Sequence, residues 1–329
     1  MPIRLPSNLP AFKTLSEEGV MMMSEDSAER QDIRPLEIGL LNLMPEKEKT
    51  ERQFARLIGS TPLQVKLTLV KITNHKPKNT SPEYLSKFYK SFNDIKNQKF
   101  DGFIITGAPI ENLEFEQVNY WEELCQIMDW SSNNVHSVFA ICWGAMAMLN
   151  YRFGINKIPL KEKAFGCFRH SNLAPYSPYL RGVSDDIIIP VSRWTKINSS
   201  DFSKIPDLKI LLDSKYMGAC LIEEINNKTL YMLNHIEYET NSLKDEYLRK
   251  QVFLEKLEPN IKGFHKKYNS LLVKLNMKDT DNPLRRNRHY LLSNLIKIAP
   301  IQEGDIAECG CWKGHSSYII SKLINKSNK

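Results

Sequence analysis

Apolar residues along this chain fall into short dense runs, separated by turn residues and by stretches of helical spacing. Leu36 to Met44 is mostly apolar, as suits a buried parallel strand, and Pro45 ends it. The next segment spaces Gln53, Phe54, Leu57 and Ile58 for the partly buried face of a helix. Val65 to Ile72 alternates Val, Leu and Ile with Lys and Thr and predicts a second strand. Ser81 and Pro82 supply an N-cap and a first helical residue. The run Phe100 to Pro109 predicts a third strand that goes into a tight glycine turn, Gly107-Ala108-Pro109. A helix is expected over Tyr120 to Met128, a strand over Val138 to Ile141, and an Ala/Met/Leu-rich helix from Gly144 to Leu149. Shorter strands are predicted over 163–170, 186–191, 208–212, 219–224 and 229–233, a short extended piece over 20–23, and a helix capped by Asn241 to about Leu254. Alternating strands and helices predict a parallel sheet with helices on both faces. Sites in such sheets lie at the carboxyl ends of the strands.

Cys142 falls between a predicted strand and a predicted helix, the turn that carries the nucleophile in α/β hydrolytic folds. The positive end of a helix dipole favours a thiolate there. Cysteine is also among the most often buried residues, so position alone leaves a core thiol as the alternative. A second stretch, Asn234-His235-Ile236-Glu237-Tyr238, reverses those odds. In extended backbone, residues two apart share a face, which places His235 beside Glu237. The carboxylate then orients the imidazole, and the imidazole serves the thiol. The Gly107 turn reads equally as a simple tight turn or as the source of a backbone N–H for a developing oxyanion.

Composition adds two exclusions. With 42% hydrophobic and 25% charged residues the chain of 329 is globular in character. It has no apolar run near the roughly 18 residues of a membrane span, and its first residues lack a signal-peptide pattern, so a cytoplasmic protein with no membrane partner is expected. Cysteines 125, 142, 167, 220, 309 and 311 show no zinc spacing and no disulfide framework, which fits a reducing compartment. The net charge of +7 is located in the tail: residues 250–329 hold 15 Lys/Arg against 7 Asp/Glu, leaving 30 against 31 before them. Without a recognition motif this reads as a solvated tail and not a nucleic-acid face.

Six stretches together carry a resemblance: Gln31-Asp-Ile-Arg-Pro-Leu36, Leu41-Asn-Leu-Met-Pro45, Thr106-Gly-Ala-Pro-Ile110, Trp121-Glu-Glu-Leu124, Ala140-Ile-Cys-Trp-Gly-Ala145 and Asn234-His-Ile-Glu-Tyr238. Over about residues 1–250 the chain resembles the homoserine O-acyltransferases of the MetA type. The resemblance implies a flavodoxin-like α/β sandwich of the class I glutamine amidotransferase-like kind. It also implies O-acylation of L-homoserine for methionine synthesis, by a cysteine thioester at Cys142 with His235 as general base and Glu237 completing the triad. Lys163, Ser192 and Arg249 match positions that hold substrate in that family, and Lys47 is a lesser candidate at the site. In the same family a Glu at the position of Glu111 goes with acetyl-CoA and a Gly with succinyl-CoA. Physically, a second carboxylate about 4 Å away costs on the order of 4 kcal/mol at an effective dielectric near 20, enough to exclude succinate. Acetyl-CoA is therefore the expected co-substrate. No metal and no permanently bound cofactor is expected, and a homodimer is an open expectation.

The resemblance stops near Lys250, and Val191 stands where the family usually has His before Ser-Arg. Asn282-Pro-Leu-Arg-Arg-Asn-Arg-His-Tyr-Leu-Leu292 and Gly304-Asp-Ile-Ala-Glu-Cys-Gly-Cys-Trp-Lys-Gly-His-Ser-Ser317 resemble the start of a macrocin O-methyltransferase-like (TylF-type) protein. Glu308, Gly310 and Gly314 match its first S-adenosylmethionine motif. The expected organisation is an acyltransferase domain over 1–250 and an incomplete Rossmann-like segment over 251–329 that does not bind the cofactor. Competing readings are a succinyl-CoA-using enzyme, a glutamine amidotransferase-like hydrolase and an inactive fusion product.

Overall fold

The computed structural model describes residues 3–24, 34–73, 75, 77 and 79–248. The chain divides into two compact units, Met1–Lys244 and Asp245–Lys329. The first holds the fold that follows. The methyltransferase-like stretch and Arg249 lie outside the described residues.

Among those residues twelve strands form one sheet. They are β1 (Ile3–Arg4), β2 (Met22–Met23), β3 (Leu36–Leu41), β4 (Val65–Lys71), β5 (Lys90–Ser91), β6 (Phe100–Ile105), β7 (Val135–Ile141), β8 (Ile158–Asn172), β9 (Asp186–Lys196), β10 (Leu208–Ser214), β11 (Gly218–Glu224) and β12 (Thr229–Met232). The helices are α1 (Pro10–Glu17), α2 (Lys47–Gly59), α3 (Pro82–Phe88), α4 (Phe92–Ile95), α5 (Trp121–Asn134), α6 (Trp143–Phe153) and α7 (Ser199–Phe202). The sheet runs β2-β1-β4-β3-β6-β7-β12-β11-β10-β8-β9, with β5 beside β4. Its centre, β4-β3-β6-β7-β12, is wholly parallel. Taken in chain order these five strands stand 2-1-3-4-5, the flavodoxin-like arrangement.

The alternation of side chains across these strands builds two apolar cores. Leu41, Val70, Ile105, Ala140 and Tyr231 point to one, with α5 and α6. Their chain neighbours Leu40, Leu69, Ile104, Ile141 and Met232 point to the other, with α1 and α2. Both faces of each strand are therefore buried, which is why these runs lack polar alternation.

The sheet is mixed and not purely parallel. From β12 outward β11, β10, β8 and β9 pair antiparallel. The reason is connection length: three residues join β10 to β11 and four join β11 to β12, too few for the crossover that a parallel pair requires. Several elements differ in extent from expectation. β3 stops at Leu41 because the chain turns beyond it, with the Leu43 amide donating to Thr106 Oγ1 at 2.8 Å. β8 spans 158–172 because β9 supplies a partner along most of that length. Ser81 caps α3 by accepting from the Tyr84 amide at 3.2 Å, as its position predicts.

Helix α2 keeps most of the expected face and extends it. Gln53 and Phe54 are buried and Ile58 packs on the core, but Leu57 is 41% exposed, and Lys47, Thr50 and Glu51 turn inward with Phe54. The spacing 47, 50, 51, 54 is helical, but its content is polar because the face meets hydroxyls. Tyr84 donates to Glu51 Oε2 at 2.7 Å, Tyr89 donates to Oε1, and Asn42 Nδ2 donates to the Tyr89 oxygen at 2.9 Å.

Candidate active site

Strand β7 and helix α6 meet at Cys142 with no intervening loop. The turn is possible only because Cys142 adopts φ 51°, ψ −118°, a conformation that costs a non-glycine residue of order 1–3 kcal/mol and persists where the surroundings enforce it. Enforcement comes from both sides. The Cys142 amide donates to Met232 O at 2.7 Å and its carbonyl accepts the Met146 amide at 3.1 Å. Gly107 follows β6 so closely that a Cβ on it would lie 3.1 Å from Cys142 Cβ. A Cβ on Gly144 would lie 2.4 Å from Thr106 O. Two glycines thus let the ends of β6 and β7 and the start of α6 converge on one sulfur.

Strand β12 ends at Met232 and delivers His235 and Glu237 to the same end of the sheet. Their backbone is irregular and not a continuation of the strand, yet the alternation survives: both side chains are buried while Ile236 between them is 41% exposed. The His235 amide donates to Pro190 O of β9 at 3.0 Å. His235 Nδ1 donates to Glu237 Oε1 at 2.6 Å, and Tyr238 stacks on the imidazole at 4.3 Å between centroids. The Cys142 side chain lies within hydrogen-bonding reach of the ring. With Nδ1 committed to the carboxylate, Nε2 is the nitrogen left to serve the sulfur. Burial opposes protonation of His235, but the attraction of Glu237, then that of Cys142, outweighs it and raises the imidazole well above its usual range. Such a relay can take a proton from a thiol or hydroxyl and return it.

The other predicted positions spread around this centre. Ser192 is buried on β9 opposite Phe165 of β8, and Lys163 sits half-buried in the bulged part of β8, its Nζ 5.3 Å from the Phe165 ring centroid. Glu111 is half-buried in the loop after β6. Val191 lies wholly in the core face of β9. Lys47 is buried beside Asn42, to whose carbonyl its Nζ donates. Burial pushes its ammonium down to about 8, against the pull of Glu51. Arg193, which motif reading passed over as half of a Ser-Arg pair, is 2% exposed. Tyr238 stood in a quoted motif without a role. Its ring contact depends on a loop conformation that sequence does not print.

A flavodoxin-like sheet that sets a thiol on a strained strand-to-helix elbow beside a buried His–Glu pair defines the class of α/β protein. Comparison with known proteins gives the family: the model described as HTS, homoserine O-succinyltransferase, matches residues 2–304, and the chain belongs to that family of acyltransferases. Curated relatives are named homoserine O-acetyltransferase. One from Ruegeria sp. (strain TM1040) is 56% identical over 249 residues, covering 76% of this chain and 80% of its own. Another from Roseobacter denitrificans is 57% identical over 249 residues, covering 76% and 82%. Among solved structures, a glutamine amidotransferase from Thermotoga maritima aligns with a TM-score of 0.47 at 10% identity, over 70% of this chain and 89% of that one.

Proposed function

We propose that this homoserine O-acyltransferase uses acetyl-CoA and works through a thioester on Cys142. The Cys142 thiolate attacks the acetyl carbonyl carbon, and the tetrahedral intermediate collapses by breaking the carbon–sulfur bond to CoA, whose sulfur takes the proton held by His235. In the second half-reaction His235 accepts the homoserine hydroxyl proton as that oxygen attacks the enzyme thioester, and collapse frees the Cys142 thiolate and O-acetyl-L-homoserine. Splitting one transfer into two steps of similar difficulty is what a cysteine nucleophile contributes. Glu237 keeps the imidazole in the tautomer both steps need. Amides at the Gly107 turn and at Trp143 are the donors suited to the oxyanion, supported by the close approach of Gly107 to Cys142. Lys163, Ser192 and Arg249 are assigned to substrate, Arg249 to its carboxylate because a planar guanidinium can pair with both oxygens. Glu111 selects the acetyl donor by volume and like charge.

The observation that carries this reading is the 2.6 Å His235–Glu237 contact facing a sulfur on a strained elbow. The amidotransferase alternative is disfavoured at Met146, four positions after the nucleophile, where amidotransferases usually carry a Gln that contacts substrate; here the side chain is buried and accepts from Thr195 Oγ1 at 3.2 Å. The test is an assay of the purified chain with homoserine and either acetyl-CoA or succinyl-CoA. Acetyl transfer is expected to dominate, Cys142→Ala to abolish it, and Glu111→Gly to admit succinyl-CoA. Preference of the parent for succinyl-CoA would remove the role given to Glu111, and full turnover by the alanine variant would remove the thioester.

A further inference from the structure

The guanidinium of Arg193 is buried in β9 and, among the described residues, has no acidic partner. Its Nη1 donates to Thr195 O at 3.3 Å and its Nη2 to Met217 O at 2.6 Å. Its Nε has no hydrogen-bond partner, and among the described residues no carboxylate pairs with it. Burying a cation against neutral carbonyls alone costs several kcal/mol, so a fold keeps one where a negative charge forms.

The fold indicates which charge that is. Val191, Arg193 and Thr195 share one buried face of β9. Thr195 donates to Met146 Sδ, and the Met146 amide donates to Cys142 O one helical turn back. Pro190, further along β9, accepts the His235 amide. Arg193 therefore sits in the stretch of strand fastened at one end to the helix that begins at Cys142 and at the other to the loop that carries the base.

The titratable groups around it narrow the choice further. Burial lowers the guanidinium's affinity for its proton, and the sulfurs of Cys142 and Cys220 oppose that effect. The Cys220 thiol, on β11, is pushed by burial up to about 12 and so stays neutral. His170, on β8, is pushed down by burial and by Arg193. Asp213, on β10, is raised by burial and acts on His170 and Cys220. Of these groups Cys142 is the one whose chemistry requires an anion.

We propose that Arg193 is a positioning residue that holds the Cys142 sulfur in its anionic form by supplying the balancing charge of the buried site. The inference rests on the reading of Cys142 as nucleophile. With thiolate, imidazolium, Glu237 carboxylate and guanidinium the site is neutral. It is neutral again in the acyl-enzyme, where thioester and imidazole are uncharged and the Glu237 carboxylate and the guanidinium carry one charge each. Without the guanidinium both states strand one negative charge out of water.

The test is alkylation of the full chain by iodoacetamide across pH 5–9, followed on the Cys142 peptide by mass spectrometry. Cys167, exposed on β8, serves as internal reference. In Arg193→Met, with folding checked by thermal melting, modification of Cys142 at pH 7 is expected to slow at least tenfold and its rise to move to higher pH. Cys167 should be unchanged, and Arg193→Lys should retain most of the parent behaviour. A folded methionine variant with the parent's Cys142 profile would overturn the proposal. Should that variant fail to fold, Arg193→Gln, whose amide can still donate to Thr195 O or Met217 O, is read in the same way, and a folded glutamine variant with the parent's Cys142 profile overturns the proposal. Alkylation needs no acyl donor, so a chain that transfers no acetyl group but shows this dependence fails only the proposed function. An active chain without the dependence fails only the inference.

Discussion

Glu237 sets the basicity of His235, and its removal has a direction that can be worked out. In the acyl-enzyme of the proposed mechanism the Cys142 charge is gone and the carboxylate 2.6 Å from Nδ1 is the near charge favouring imidazolium. Glu237→Gln removes that attraction while burial still disfavours the cation, so the imidazole loses its proton at lower pH. Homoserine-dependent discharge of the acyl-enzyme should then have its acid limb displaced to lower pH, with the plateau rate reduced about a hundredfold or more, within the span of general-base effects. Single-turnover rates against pH check this, and an unmoved limb would detach Glu237 from the imidazole. At this scale the sequence was informative where chemistry and spacing coincide. His235 and Glu237 are two apart, and the spacing puts both on one buried side even though the backbone there is irregular. Arg193 was not legible, because an arginine reads as surface until burial is known.

At the scale of elements, the start of α6 depends on what Gly144 lacks. A Cβ there would come within 2.4 Å of a backbone carbonyl, Thr106 O, and within 3.1 Å of Ile105. Neither is the tip of a flexible side chain, so helix and strand must separate. Gly144→Ala should destabilise the unit by about 1–3 kcal/mol, the usual scale of overpacking. Because the displaced element follows directly on the proposed nucleophile, the loss of transfer rate should exceed what the loss of folded protein accounts for. Urea unfolding beside initial rates measures both, and an alanine variant with parental stability would refute the close approach. Element types were readable from the sequence because both-face burial leaves continuous apolar runs. The polar face of α2 was not. Its inward residues are hydrophilic, and their partners, Tyr84 and Tyr89, come from a different helix region.

For the whole molecule, the buried Lys47 gives stability a dependence on alkaline pH. Its ammonium is lowered to about 8 in the fold, against roughly 10.5 for an unfolded chain. Between those values the unfolded state binds more protons, so stability rises with pH. From pH 7.5 to 9.5 the gain is on the order of 2 kcal/mol. It should appear as a difference between the parent and Lys47→Met in urea unfolding at the two pH values, and identical slopes for both would place the amine in water. Sheet architecture was legible on the parallel side, where strand and helix alternate. On the antiparallel side the strands could be located, but their pairing order depends on how short connections fold back, which residue types alone do not encode.

The position of β12 has a consequence for how the protein is made. This strand fills the gap between β7 and β11, and the base follows it by three residues. While the polypeptide is still emerging from the ribosome, the segment bearing the thiol is already complete, but the imidazole assigned to activate it has yet to be synthesised. On that assignment chemical competence is acquired late, as the last of the described strands enters the sheet, and a translation product broken off before it would carry an unarmed sulfur.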